Sequence, residues 1–192
     1  MTWDKDCVIY PHILPQETVD EIYDYVRTAN MWCFDLYSEG PDSEAPNPIL
    51  KVVQEYEENS VVYSDEKLSR ICDFLDDSAN QLLEDFCGER IVKRRFCSFQ
   101  VSYEGHHGRP HIDSAELNYK TCMFFLSPTW DQEWAGDFLL KTRTGEWSTI
   151  PYTPRSAVCF NSNLLHTGIG ANVKAKKLRL TYVCQGHTSK ND

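Results

Sequence analysis

The stretch GRPHIDSAE, residues 108–116, places His111 and Asp113 two positions apart. In an extended chain, residues i and i+2 project to the same side. An imidazole and a carboxylate at this spacing can therefore share one cation. With six histidines in 192 residues, one H-x-D arises by chance about one time in three, so the pair needs a third ligand from elsewhere. His166, in the turn NSNLLHTG just before the last strand-like run, is the best candidate, although a turn histidine taken alone is usually just hydrogen-bonded. His107 and His111 are four apart, but Gly108 and Pro110 lie near and between them and prevent the helix that would present an H-x-x-x-H zinc pair. His12 and His187 lie near the termini. Two imidazoles and one carboxylate on one face of a metal leave its other face open. That arrangement suits non-haem Fe(II), whose open positions can take a cosubstrate and O2 together. None of the eight cysteines forms a C-x-x-C, so the sequence carries no cysteine zinc motif.

A second feature lies in KLRLTYVC. Arg179 sits among Leu178, Leu180, Tyr182 and Val183 in a strand-like run. An arginine in an apolar strand is costly unless its charge is paired. Either it reaches solvent at a strand edge, or its planar guanidinium clamps a buried carboxylate. A dicarboxylate chelating the metal at one end would need such a clamp at the other.

These residues need rigid elements to hold them. CVIYPH reads as a short strand. LPQETVDEIYDYVRTAN reads as a helix that starts near Pro15 and carries Val19, Ile22, Tyr23 and Val26 at helical spacing. SDEKLSRICDFLDDSANQLLEDFCG is a second helix, capped at Ser64 or Asp65 and ended by Gly88. Leu68, Ile71, Cys72, Leu75, Leu82, Leu83 and Phe86 form its apolar stripe. From there the period changes to two. RRFCSFQVSYEG, YKTCMFFLSPTW, GDFLLKT, EWSTIPY, SAVCFNS and KLRLTYVC follow as strands separated by Gly, Pro, Asn or Ser. Two helices before at least six strands predict a mainly β fold, a double-stranded β-helix (jelly roll) with the N-terminal helices packed on one outer face. Residues 1–192 read as one domain, with 1–90 as helical support and a loop and 91–186 as the jelly-roll core. Residues 35–58 hold three prolines, a glycine and seven acidic residues and read as a long loop with a strand near Ile49–Val53.

Composition narrows the function further. The net charge of −10 opposes a phosphate backbone, and the one basic cluster, KRRF at 93–96, reads as a solvated strand start, so nucleic acid is disfavoured as a partner. The chain shows no long apolar run for a membrane span and no N-terminal basic-then-apolar signal. With its scattered single cysteines it reads as a cytoplasmic protein holding reduced thiols.

From about Phe99 to Val183 the chain resembles the 2-oxoglutarate-dependent Fe(II) oxygenases, in particular their prolyl 4-hydroxylase-like branch, with spacing closest to the hypoxia-sensing prolyl hydroxylases. The resemblance rests on YEGHHGRPHID, TCMFFLSPTW, EWAGDFLL where the family has W-x-G-G, PRSAVCFNS, His166 and Arg179, with the N-terminal CVIYPHILPQETVDEIYDYV similar to the family's first strand and helix. It implies that His111, Asp113 and His166 bind Fe(II) and that Arg179 holds the far carboxylate of 2-oxoglutarate. Tyr103, Met123 and Leu139 then line the cosubstrate pocket, although Met123 and Leu139 serve equally well as plain barrel core. The implied reaction hydroxylates an unactivated C–H bond, most plausibly of a prolyl residue in a polypeptide. It consumes O2 and converts 2-oxoglutarate to succinate and CO2, with ascorbate as a candidate reductant.

Two departures stand out. Phe125 replaces a tyrosine that helps bind the cosubstrate carboxylate in the hypoxia-sensing relatives, and Thr121 on the same strand could supply the missing hydroxyl. Asp137 replaces the second glycine of the family's G-G. Retention of Asp113 favours hydroxylation over halogenation, since halogenating relatives carry a small residue there. The 35–58 loop falls where the prolyl hydroxylases have a mobile loop over the substrate. As a lid, its acidity would favour a basic or neutral peptide; the plainer reading is a passive surface loop. Two rivals stand beside the peptide hydroxylase: an enzyme with the same chemistry on a free amino acid or other small metabolite, and a jelly-roll binding module that has lost catalysis. The intact His111, Asp113, His166 and Arg179 speak against the last. Oligomeric state is not readable from these features.

Overall fold

Helix α1 (Gln16–Thr28) buries Val19, Ile22, Tyr23 and Val26, the i, i+3, i+4, i+7 face expected from their spacing. Pro15 stands just before it with extended backbone, at the cap position and not inside the first turn. Helix α2 (Glu66–Cys87) buries Leu68, Ile71, Cys72, Leu75, Ala79 and Leu83. It stops where Gly88 turns to φ +69° and its N–H donates to Glu84 O at 2.8 Å, the left-handed ending that glycine favours. The computed structural model describes residues 2–3, 6–29, 33–35, 47–50, 66–102, 104–105 and 107–189. The expected caps Ser64 and Asp65, most of the expected lid over 35–58, and Tyr103 lie outside the described residues.

The strands are β1 (Thr2–Trp3), β2 (Cys7–Tyr10), β3 (Cys33–Asp35), β4 (Asn47–Leu50), β5 (Ile91–Ser102), β6 (Tyr119–Phe125), β7 (Phe138–Lys141), β8 (Trp147–Ile150), β9 (Ala157–Asn161), β10 (His166–Gly168) and β11 (Arg179–Thr188). Eight form one antiparallel sheet in the order β1-β2-β9-β6-β11-β5-β4-β3, and three form a second in the order β10-β7-β8. This is the expected mainly β jelly roll with both helices on one outer face.

Side-chain alternation gives the large sheet two apolar faces. Cys97, Phe99, Val101, Cys122, Phe124, Leu126, Leu180, Tyr182 and Cys184 pack against α1 and α2. Met123, Phe125, Val158, Phe160 and Val183 pack against Phe138, Leu140, Ile150 and Tyr152 of the small sheet and its flank. Each fully buried Leu, Phe or Val contributes about 1.5–3 kcal/mol relative to exposure, and burial on both faces fixes the register of β6 and β11. A one-residue slip would exchange the two cores. None of the helices among the described residues is long and apolar enough to cross a membrane.

Candidate metal centre

Three elements bring the candidate ligands together. His166 opens β10 and pairs with Leu140 of β7. His111 lies outside the named strands but extends the small sheet by one bridge. Its N–H donates to His166 O at 3.0 Å, and His166 N–H donates to His111 O at 2.9 Å. The doubly bonded pair fixes both imidazoles on adjacent strands, with ring centroids 4.4 Å apart. Asp113 is anchored separately. Its N–H and that of Ser114 both donate to Ser162 O, at 2.9 and 3.1 Å, which ties the ligand-bearing turn to the turn after β9.

Ligand atoms from His111, Asp113 and His166 all lie within 4.8 Å of one another. Asp113 Oδ1 is 3.6 Å from Nε2 of each histidine. Each Nδ1 is 2.9 Å from a carbonyl two residues earlier, Arg109 O for His111 and Leu164 O for His166. A neutral imidazole that donates Nδ1–H to a carbonyl presents its Nε2 lone pair, the form a metal requires. On the other side of the carboxylate, Thr121 Oγ1 donates to Asp113 Oδ2 at 2.6 Å and lies 2.8 Å from Ser162 Oγ. Thr121 has one hydroxyl proton, so Ser162 is the donor of that second bond.

The electrostatics match the geometry. Burial raises the Asp113 pKa, but the His111 contact, the His166 charge and the Thr121 bond outweigh it, and the carboxyl sits below its ordinary value. Burial pushes the His166 pKa down, against the pull of Asp113. Both groups thus favour the deprotonated form that ligates. His111 is half-exposed and His166 buried, so the cluster opens to solvent on the His111 side.

One cavity holds this cluster and Arg179 together, lined also by Gln100, Ser102, Thr121, Met123, Phe138, Phe160, Gly168 and Val183. Arg179 is 3% exposed. Its Nε donates to Gly136 O at 2.6 Å and its guanidinium carbon lies 5.1 Å from the Tyr152 ring centroid. Its Nη2 is the one buried side-chain nitrogen or oxygen without a hydrogen-bond partner among the described residues. Burial lowers the guanidinium pKa, while Tyr152 and Asp137 hold it up. Arg179 is therefore a buried cation with an unused donor, on the cavity that holds the two histidines and the aspartate. An orphaned charged donor costs several kcal/mol unless an anion meets it.

The other expected residues fall as follows. Met123 lines the cavity. Leu139 does not: Phe138 and Leu140 face inward in β7, and Phe138 takes the cavity wall while Leu139 points to the other side. Thr121 lines the cavity, but its hydroxyl is committed to Asp113 and not offered to an anion at Arg179. Phe125 stacks on Tyr152 at 4.6 Å between centroids. The Tyr152 phenol does not replace the missing hydroxyl, because it bonds Ser127 and Leu180 O. Sequence reasoning missed Ser162, which binds Asp113 through its carbonyl and Thr121 through its hydroxyl. Its only sequence signal is its place in the turn that leads to His166.

No family model matches the chain, and no curated protein matches it by sequence. Solved structures do match by fold. A Pseudomonas putida prolyl-4-hydroxylase superposes at TM-score 0.70 with 14% identity, covering 96% of this chain and 94% of the other. A Trichoplax adhaerens prolyl hydroxylase, solved with a hypoxia-inducible-factor degradation-domain peptide, gives TM-score 0.73 at 14% identity, covering 96% and 84%. The epimerase SnoN of nogalamycin biosynthesis, solved with Fe3+, α-ketoglutarate and nogalamycin RO, gives TM-score 0.66 at 14% identity, covering 96% and 80%. The chain has the fold of the 2-oxoglutarate/Fe(II) oxygenases.

Proposed function

We propose that this chain is an Fe(II)- and 2-oxoglutarate-dependent oxygenase, a single catalytic unit in which His111, Asp113 and His166 hold the iron and Arg179 holds the distal carboxylate of 2-oxoglutarate. The observation that carries this reading is the unpartnered Arg179 Nη2 on the same cavity as the two Nε2 atoms and Asp113 Oδ1. A guanidinium with a free N–H selects a carboxylate, and two imidazoles plus one carboxylate suit an iron with open positions. The donor set and the orphaned donor fit iron and a dicarboxylate together. When bound, iron would activate O2, the oxidant, with 2-oxoglutarate oxidised to succinate and CO2 by one oxygen atom and the substrate taking the other, and ascorbate a candidate reductant. The protein's own part is to hold and orient. The Arg109 and Leu164 carbonyls fix the histidine tautomers, Thr121 and Ser162 fix the carboxylate, and Met123, Phe138 and Val183 keep water from the cosubstrate's chain.

The favoured substrate is a prolyl residue in a polypeptide, as suggested by the fold shared with a peptide-bound prolyl hydroxylase. The same fold at the same identity serves SnoN with nogalamycin RO, which supports the second reading, a small-metabolite substrate. Iron-loaded protein, incubated with 2-oxoglutarate and a panel of proline-containing peptides and free amino acids, separates the two by mass spectrometry. Gain of one oxygen on peptides alone supports the first. Gain on free amino acids alone replaces it with the second.

A further inference from the structure

Away from the iron centre, on the helix-facing side of the large sheet, four cysteines stand in one row across four adjacent strands. Cys97 of β5 pairs with Cys184 of β11, Cys184 with Cys122 of β6, and Cys122 with Cys159 of β9. All four are buried. At one end of the row the α2 side chain Asp76 enters the apolar layer, itself 0% exposed. Cys97 Sγ and Cys184 Sγ lie 3.3 Å apart, and both lie within 4.8 Å of a carboxylate oxygen of Asp76. Tyr182 donates its phenol proton to Asp76 Oδ1 at 2.6 Å. Cys72, one helical turn before Asp76, is buried on the same face of α2.

A carboxylate inside an apolar helix–sheet layer is costly. The neighbouring inward positions of α2 are Leu75 and Ala79, and an apolar side chain at 76 would pack without that cost. Two thiols and a carboxylate, brought together from α2, β5 and β11, are a donor set for a thiophilic divalent cation. We propose that Asp76, Cys97 and Cys184 form a second, structural metal site of the zinc class that pins α2 to β5 and β11. Binding releases the two thiol protons, and the cation's charge offsets the two thiolates and stabilises the carboxylate. Without a cation, the Cys184 contact and burial hold the Cys97 thiol protonated. The site is closed to solvent, as structural sites are, so the metal enters as the chain folds. The lack of a C-x-x-C is no obstacle, because the donors converge from segments far apart in sequence.

Cobalt distinguishes this site from the iron centre, because only thiolate ligands give Co2+ an intense near-ultraviolet charge-transfer band. The full chain is refolded with Co2+ as wild type and as Asp113→Ala, Cys97→Ser, Cys184→Ser, Cys122→Ser and Cys159→Ser, and zinc per chain is measured on the same proteins refolded with Zn2+. The expected result is a thiolate band in wild type, in Asp113→Ala, and in the Cys122 and Cys159 variants, which alter the same buried row outside the site, and one tightly held zinc in Asp113→Ala, where the iron centre no longer takes zinc of its own. The band is lost in the Cys97 and Cys184 variants. If folded wild type shows no thiolate band, the proposal is wrong whatever the variants do. A Cys97–Cys184 disulfide in place of metal, or a band lost equally from the Cys122 and Cys159 variants, also overturns it. None of these outcomes alters the reading of the iron centre.

Discussion

Thr121 holds Asp113 in place: its hydroxyl donates to Asp113 Oδ2 at 2.6 Å while Oδ1 stays turned toward both histidines. Thr121→Val keeps the shape and removes the donor. Loss of such an outer partner lowers metal affinity about 10–100-fold, and the unpaired groups left behind cost about 1–3 kcal/mol of stability. Chelator-competition titration with Fe(II) checks the first and thermal unfolding the second. Thr121→Ser should restore most of both, and unchanged iron affinity in Thr121→Val would remove Thr121 from the centre.

Arg179→Lys retains a buried cation but loses the forked donor, and a hydrogen bond to a charged group is worth about 1.5–3 kcal/mol. The KM for 2-oxoglutarate should rise about 10–150-fold with iron affinity unchanged. Equal effects on both would mean that the substitution disturbs the whole cavity, not one carboxylate contact.

Gly136 accepts the Arg179 Nε–H at its carbonyl. A Cβ there would come within 2.8 Å of the Trp130 ring and 3.3 Å of Arg179 Cδ, at φ +92°. Gly136→Ala should destabilise the chain by more than the about 1–2 kcal/mol of left-handed strain alone and should weaken 2-oxoglutarate binding. Gly145, at φ +89° with nothing within 4 Å of its Cβ, is the control. Gly145→Ala should show the strain cost only, with cosubstrate affinity intact.

Burial depresses the His166 pKa below its ordinary 6.5. The unfolded chain therefore binds this proton more readily than the folded one. Its contribution to stability is fully present above about pH 6.5 and is lost as pH falls from there through the lower folded value. Metal-free protein should lose stability over that window, and His166→Gln should flatten this part of the profile in denaturant titrations run across pH. A slope that persists undiminished in His166→Gln would assign it to other groups.

The parts of this fold that were legible in the sequence are those where residue type and period carry the information. The α1 stripe, the switch to period two after Gly88, and the cluster of His111, Asp113 and His166 with Arg179 on the same cavity could be named because each is unusual in its setting. What was hidden depended on facing. In GDFLLKT, Phe138, Leu139 and Leu140 are all apolar, so composition cannot say which alternate set points inward, and the cavity wall proved to be Phe138. Asp76 carries no sequence signal that sets it apart from the other acidic residues of α2, and only the fold brings Tyr182 to its carboxylate. Thr121 and Ser162 are ordinary strand and turn residues until Asp113 is placed beside them.

The central claim is that one cavity carries iron and 2-oxoglutarate at its two ends. It is tested most directly by measuring succinate released from 2-oxoglutarate by the Fe(II)-loaded chain, as wild type and as Asp113→Ala and Arg179→Gln. The account predicts turnover in wild type, none in Asp113→Ala, and in Arg179→Gln turnover that needs far higher 2-oxoglutarate. Wild-type protein that binds Fe(II) at His111, Asp113 and His166 but neither binds nor consumes 2-oxoglutarate would contradict it, as would full turnover in Asp113→Ala.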